Sequence, residues 1–366
     1  WFTTSGTGVT FGTQVQASGI TRNNFLTNNV LTVHASDNST TNYLITVIPH
    51  DFAGGSGTEI DPYLVSNSRE LDRVRWYAGS HFRQTASFSL TNYANWVPIG
   101  VLGAPFFGSY DGDNHVIDGL TINRPTTNFQ ALFGLAAGAA LRDIILTNIA
   151  ITGYNRTGGL AGRLTNSCQV SGCIVQGTIA GNGRVGGLAG DAYGGTVVRS
   201  SATVTMTGAG LLGGLLGAMD QGATVAFCHT RGSITATAFG EGGIAGQVHN
   251  NCVVSNSYSH LNIHGRYNAG LVGSLDFGSV VTRCFSTGLI TANNPPSDYP
   301  RGLICSKGAT AVVTNSYWDT ESSGRPDSMG GTGLTTAQLW QQASYTGWDF
   351  TTVWQIDEGS GYPTLR

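Results

Sequence analysis

The chain has 366 residues, with 18 Lys or Arg, 21 Asp or Glu, a net charge of −3 and only 11% charged residues. That excludes a basic footprint for nucleic acid or an anionic membrane surface. No apolar run approaches the ~20 residues of a membrane span, since residues 211–218 are short and interrupted by Gly. The 53 glycines are about twice the usual share and are spread through the chain, which argues for an ordered repeat fold with a neutral Ser/Thr/Asn/Gly surface rather than disorder.

Residues 1–49 differ in kind from the rest of the chain. Residues 32–34 and 43–47 read as strands joined by the turn Ser36-Asp37-Asn38-Ser39-Thr40. The passage from Leu31 to Val47 resembles the closing hairpin of bacterial cadherin-like β-sandwich domains. Those domains are about twice this length, so the resemblance implies only a C-terminal half. Half a sandwich exposes an apolar face and open strand edges. It is therefore expected to be completed by the helix cap, by a partner or by a missing segment. The start at Trp1, without Met or a signal-like region, reads as a processed chain or a fragment.

Gly54-Gly55-Ser56-Gly57 marks a boundary. A helix is expected after it, capped by Asn67 with Glu70 as its capping-box partner and with Leu71, Val74 and Trp76 facing inward. Such a helix would cover the open end of a first coil. Residues 82–128 read as irregular first coils. Residues 107–115 form a strand, turn and strand, and Asp111-Gly112-Asp113-Asn114 is a tight turn that lacks the ligand spacing of a calcium loop.

The body of the chain repeats. Gly158-Gly159-Leu160-Ala161-Gly162 returns at 186–190, 213–217 and 242–246, and more loosely at 269–273 and 301–305. The central apolar residues Leu160, Leu188, Leu215, Ile244, Leu271 and Leu303 are spaced 28, 27, 29, 27 and 32 apart, the signature of a solenoid or propeller. Ten residues on lie Val170, Val198, Val225, Val254, Val281 and Val313. Thirteen on lie Cys173, Ser201, Cys228, Ser257, Cys284 and Ser316. The period is too short for a four-stranded blade. It suits three short β-branched strands per coil, stacked at ~4.8 Å as a parallel β-helix. Right-handed crossovers are expected.

This Gly-Leu-any-Gly run, with its trailing Val and Ser/Cys-Tyr/Phe segment, resembles the GLUG repeat of bacterial surface and secreted proteins over roughly residues 54–366. The resemblance implies an extracellular β-helical module and no particular reaction. Past the last repeat come a Gly/Ser-rich loop over 320–333, a short helix over 335–342, and Trp348, Phe350, Trp354, Tyr362 and Leu365 as bulk for a terminal cap.

The fold class is thus all-β: a right-handed parallel β-helix over about residues 82–334, with short capping helices and a partial N-terminal β-sandwich. The domains are 1–49, a linker and capping helix over 50–81, the β-helix, and a C-terminal cap over 335–366. The six cysteines read as small buried apolar residues. Cys173, Cys228 and Cys284 share a column but sit two coils apart, beyond disulfide reach. Cys168 and Cys252 share another column, three coils apart.

Candidate chemistry is sparse. The column three residues past each motif reads Thr165, Tyr193, Asp220, His249, Asp276. Its last three members form the catalytic candidate, two carboxylates flanking an imidazole as acid and base; the competing reading is an exposed polar turn. Tyr258, Phe285 and Tyr317 form an aromatic stripe on the outer face. It either stacks on sugars or is covered by loops or a neighbouring subunit. Sequons occur at Asn38 and Asn155. Neither a metal nor a cofactor is called for. The leading reading is an extracellular, cell-surface structural or adhesive protein that assembles head-to-tail into filaments through its N-terminal strands. Partners would be itself and surface glycans, with no nucleic acid and no membrane insertion. The alternative is a glycan-binding or glycan-cleaving β-helix.

Overall fold

A computed structural model describes residues 8–11, 14–16, 29–45, 51–295 and 298–366. It divides into two units, Trp1–Asp51 and Phe52–Arg366. The first contains a four-stranded antiparallel sheet in the order Gln14–Val15, Gly8–Phe11, Asn29–His34, Thr40–Ile45. The expected hairpin is present, with Leu31 opposite Tyr43 and His34 opposite Thr40. Its turn is held by Asp37, whose Oδ1 accepts from the Ser39 backbone N–H, and by Asn38 in the left-handed region. Thr46 and Val47 lie outside the described residues.

The second unit is a parallel β-helix. One coil runs through Thr157–Gly158, Ala161–Thr165, Gln169–Ser171 and Ile174–Gly181. Equivalent strands pair in parallel from coil to coil, building five-, seven-, ten- and twelve-stranded sheets. In that order they are the corner, motif, valine and long sheets. A coil thus has four strands where three were expected, because a short strand precedes the Gly-Gly-Leu corner.

The apolar column is realised. Leu160, Leu188, Leu215, Ile244, Leu271 and Leu303 are fully buried. One register expectation is corrected. The partner of Val170 and Val225 is Val197, not Val198, and the following corner residue is Ser200, not Ser201. The connection Gly194-Gly195 is one residue shorter than Asn166-Ser167-Cys168 in the coil before, so the count slips by one.

The same corner explains the alternation of Cys and Ser. The residue before it adopts positive φ in most coils, including Arg199, Phe227, Asn256, Arg283 and Asn315. The turn removes the next N–H from the ladder, and a serine hydroxyl of the following coil accepts it. Cys173 N donates to Ser200 Oγ, Cys228 N to Ser257 Oγ and Cys284 N to Ser316 Oγ, each at 3.1 Å. All six cysteines are free and buried, and burial pushes the thiols of Cys173, Cys228 and Cys284 up to about 12, leaving them unreactive.

Ser68–Arg73 forms the first helix, with Asn67 Oδ1 accepting from the Arg69 and Glu70 N–H groups. Glu70 reaches back to Ser66 N rather than to the cap itself. Leu71 and Val74 join the solenoid core, but Trp76 is 61% exposed; Arg73 and Arg75 lie over its ring instead. The passage around Asp111 is strand, turn and strand as expected. Ser109–Asp111 lies in the valine sheet and Val116–Asp118 in the long sheet, two sides of one coil.

The C-terminal segment makes a second core along the side of the solenoid. Thr336–Leu339 is helical with a complete capping box on Thr335 and Gln338. Leu339, Tyr345, Trp348 and Trp354 bury Tyr258, Phe285 and Tyr317 on the outer face of the long sheet. The aromatic stripe is therefore covered by the chain's own tail. Trp348 Nε1 donates to Asn315 O, and the Tyr362 hydroxyl donates to Asp319 Oδ2. Among the described residues, no helix is long and apolar enough to cross a membrane.

Candidate functional site: the outer face of the motif sheet

On each motif strand, alternate residues face the core and the outside. Leu164, Ala192, Met219, Val248 and Leu275 enter the core. Their neighbours form two outward rows. The first runs Leu135, Arg163, Asp191, Ala218, Gln247, Ser274, Ser306 by register. The second runs Ala137, Thr165, Tyr193 and Asp220, and His249 and Asp276 follow directly after Val248 and Leu275.

Asp220, His249 and Asp276 therefore occupy equivalent positions on successive coils. Their side chains bond to other partners rather than to one another. The two His249 ring nitrogens meet Gln247 Nε2 at 2.6 Å and Ser274 Oγ at 3.0 Å. Asp220 Oδ1 accepts from Gln221 N and Asn250 Nδ2, and Asp276 Oδ1 accepts from Phe277 N. Burial holds the His249 imidazole below its ordinary range, opposed by the charges of Asp276 and Asp220. The arrangement is a polar row with a neutral imidazole at its centre.

Beside this row is a groove of about 240 Å³ lined by Leu211, Phe239, Tyr267, Gln247, Ser274 and Ser306. Its wall is aromatic. Phe239 and Tyr267 lie 4.8 Å apart, Tyr267 and Tyr299 5.3 Å apart, and the Arg266 guanidinium sits 4.9 Å from the Phe239 ring. Phe239 and Tyr299 are about half exposed. Gln247 and Ser274, which line it, are the two side chains that hold the His249 imidazole. Aromatic faces beside amide and hydroxyl groups can stack on the apolar face of a sugar and bond its hydroxyls.

Two coils away on the same face lies a charged cluster that sequence reasoning did not find. Asp191 is almost fully buried among Arg156, Arg163 and Arg184. A signal existed: Arg163 and Asp191 are 28 residues apart, as are Arg156 and Arg184, one coil in each case. The residue types carry no motif, so only the coil register reveals the cluster. Deeper, on the inner side of the corner sheet, Glu241 follows Leu212 in register. It is fully buried with both carboxyl oxygens unpartnered.

No family model matches the chain, so the likeness to GLUG repeats rests on the motif alone. The chain is 29% identical over 333 residues to halomucin of Haloquadratum walsbyi, covering 85% of this chain and 3% of that protein. It is 29% identical over 180 residues to an immunoglobulin A1 protease of Streptococcus pneumoniae, covering 46% of this chain and 9% of that one. A crystal structure of a protein provisionally assigned as an immunoglobulin A1 protease, from Bacteroides ovatus, superposes with a TM-score of 0.61 at 18% identity, covering 86% of this chain and 95% of the other. That likeness shows a shared fold. The chain spans less than a tenth of these two sequence relatives.

Proposed function

We propose that the chain is a structural and adhesive β-helix of an extracellular or cell-surface protein, with the outer face of the motif sheet as its adhesive face and surface glycans as its ligands. The aromatic groove carries this reading. It places Phe239 and Tyr267 beside the Gln247–His249–Ser274 network, while the aromatic stripe of the long sheet is consumed by the C-terminal segment. The relatives support the setting, since halomucin and the pneumococcal protease are both much longer proteins that contain a stretch resembling this one. The stretch shared with the pneumococcal protease covers 9% of that protein, so its activity is not carried over to this chain.

A glycan array probed with the intact chain tests the reading. Binding that falls by about ten-fold or more in Phe239→Ala and Tyr267→Ala supports it. Unchanged binding in the double variant shows that the groove is not the adhesive face. Release of reducing ends from any bound glycan, abolished by Asp220→Asn, would replace adhesion by catalysis.

A further inference from the structure

We propose that Arg156, Arg163 and Arg184, gathered around Asp191, form an anion-binding site for the carboxylate or sulfate groups of an acidic polysaccharide. Arg163 and Asp191 are register partners on adjacent motif strands. Arg156 and Arg184 arrive from the corners of two successive coils. Their backbones pass directly over Gly190 and Gly217, where a Cβ would lie 2.5 Å from Arg156 Cα and 2.8 Å from Arg184 C. The close approach aims both side chains at one carboxylate. Asp191 Oδ2 accepts from Arg156 Nε at 3.1 Å and from Arg184 Nη1 at 2.9 Å. Arg163 Nε lies 3.6 Å from Oδ1, and both of those atoms are buried without a hydrogen-bond partner.

The charges do not balance. Three guanidinium groups against one carboxylate leave 3 − 1 = +2, in a chain whose net charge is −3. A structural ion pair needs one arginine, and two more like charges at this range are repulsive unless a further anion joins. Each guanidinium carries five N–H donors in a fixed fork, and those of Arg156 and Arg184 each spend one on Asp191. The Arg156 guanidinium lies 5.3 Å from the Phe129 ring and that of Arg163 4.9 Å from the Tyr193 ring, so both are held before a ligand arrives. The side chains are 23%, 24% and 32% exposed for Arg156, Arg163 and Arg184, which leaves donors open to solvent but partly desolvated, where charge-assisted bonds are strong. The site lies on an open sheet face with a coil spacing of about 4.8 Å, close to one sugar unit of an extended chain. An acidic polymer running along the solenoid axis therefore suits it. The site is separate from the aromatic groove, and its test succeeds or fails independently.

The test is calorimetric titration of the intact chain with polygalacturonate, dextran sulfate and neutral dextran, with duplex DNA as a polyphosphate control. Expected is salt-sensitive binding of one or both acidic polysaccharides and none of neutral dextran. The two acidic polymers separate carboxylate from sulfate as the group bound. Arg184→Gln and Arg163→Gln should each weaken binding by about ten-fold or more with the thermal midpoint preserved. Arg142→Gln, at the exposed pair with Asp111, should leave binding unchanged. Absence of binding to both acidic polymers, equal loss in Arg142→Gln, unaltered binding in folded Arg163 and Arg184 variants, or tighter binding of DNA than of either polysaccharide each overturns the proposal.

Discussion

Gly190 illustrates what stacking demands of one residue. Its φ is ordinary, so conformational freedom is not the reason for glycine. A Cβ there would lie 2.5 Å from Arg156 Cα, 2.6 Å from Arg156 C and 2.6 Å from Gly162 O, all backbone atoms. Gly190→Ala is therefore expected to cost about 1–3 kcal/mol or more, seen as a lower denaturant midpoint, and to displace Arg156 from Asp191. Glu241 is the opposite case, a residue that opposes the fold. Burial, with the charge of Asp298 beside it, pushes its acid up to about 8 from 4.5. The folded state holds this proton up to about pH 8, while the unfolded chain releases it near 4.5. The contribution of Glu241 to stability is thus greatest below about 4.5, falls as pH rises through the window to 8 and is flat above. Glu241→Gln should remove this slope and stabilise the protein at pH 8 by a few kcal/mol, measured by urea titration across that range. A slope unchanged in the variant would show that Glu241 is not its source.

At the scale of elements, the C-terminal segment and the long sheet depend on each other. Tyr258, Phe285 and Tyr317 are buried only because Tyr345, Trp348 and Trp354 lie over them. A chain ending before Thr335 should expose that stripe, bind a hydrophobic dye strongly and self-associate; a monodisperse, dye-silent truncation would show that the cover is dispensable. The same contact should respond to acid. His260 packs against Tyr258, Phe285 and Tyr362 and bonds Thr287. Burial, then the charges of Arg231 and His229, push its imidazole down to about 4 from 6.5, and burial lowers His229 as well. The folded state binds fewer protons here, so the cover is fully stable above about 6.5 and weakens as pH falls towards 4. Tryptophan emission from Trp348 and Trp354 should shift to the red over that window, and His260→Asn should flatten the transition.

Across the whole molecule, the β-helix of Phe52–Arg366 carries one continuous core from Phe52 and Val65 to Leu303 and Trp318, in which each coil rests chiefly on its neighbours. A chain comprising residues 52–366 is expected to keep the melting temperature of the full chain's main transition, since its core is its own. For the antiparallel sheet of the first unit we propose a different task. We expect it to join one copy to the next by strand pairing, a head-to-tail contact that extends into filaments. Light scattering on the full and shortened chains decides this: equal particle size in both removes the N-terminal strands as the connector.

The period, the apolar columns, the cap at Asn67 and the hairpin before the solenoid were all legible in the residues. Stacking one coil on the next makes a one-dimensional pattern in the chain and a column in space the same thing. What the pattern could not carry was whatever depends on the path between columns. The slip from Val198 to Val197 comes from a connection one residue shorter. The fourth strand of each coil has no composition of its own. The cover over Tyr258, Phe285 and Tyr317 is a long-range return of the chain, invisible to any local period. Asp220, His249 and Asp276 were placed correctly as neighbours, but tertiary contacts decided that Gln247 and Ser274, not the carboxylates, hold the imidazole. Arg156, Arg163, Arg184 and Asp191 become a cluster only when the corner backbone lies on Gly190 and Gly217. The spacing of identical residues therefore determined the solenoid, whereas the convergence of unlike residues from different coils was decided by the folded backbone.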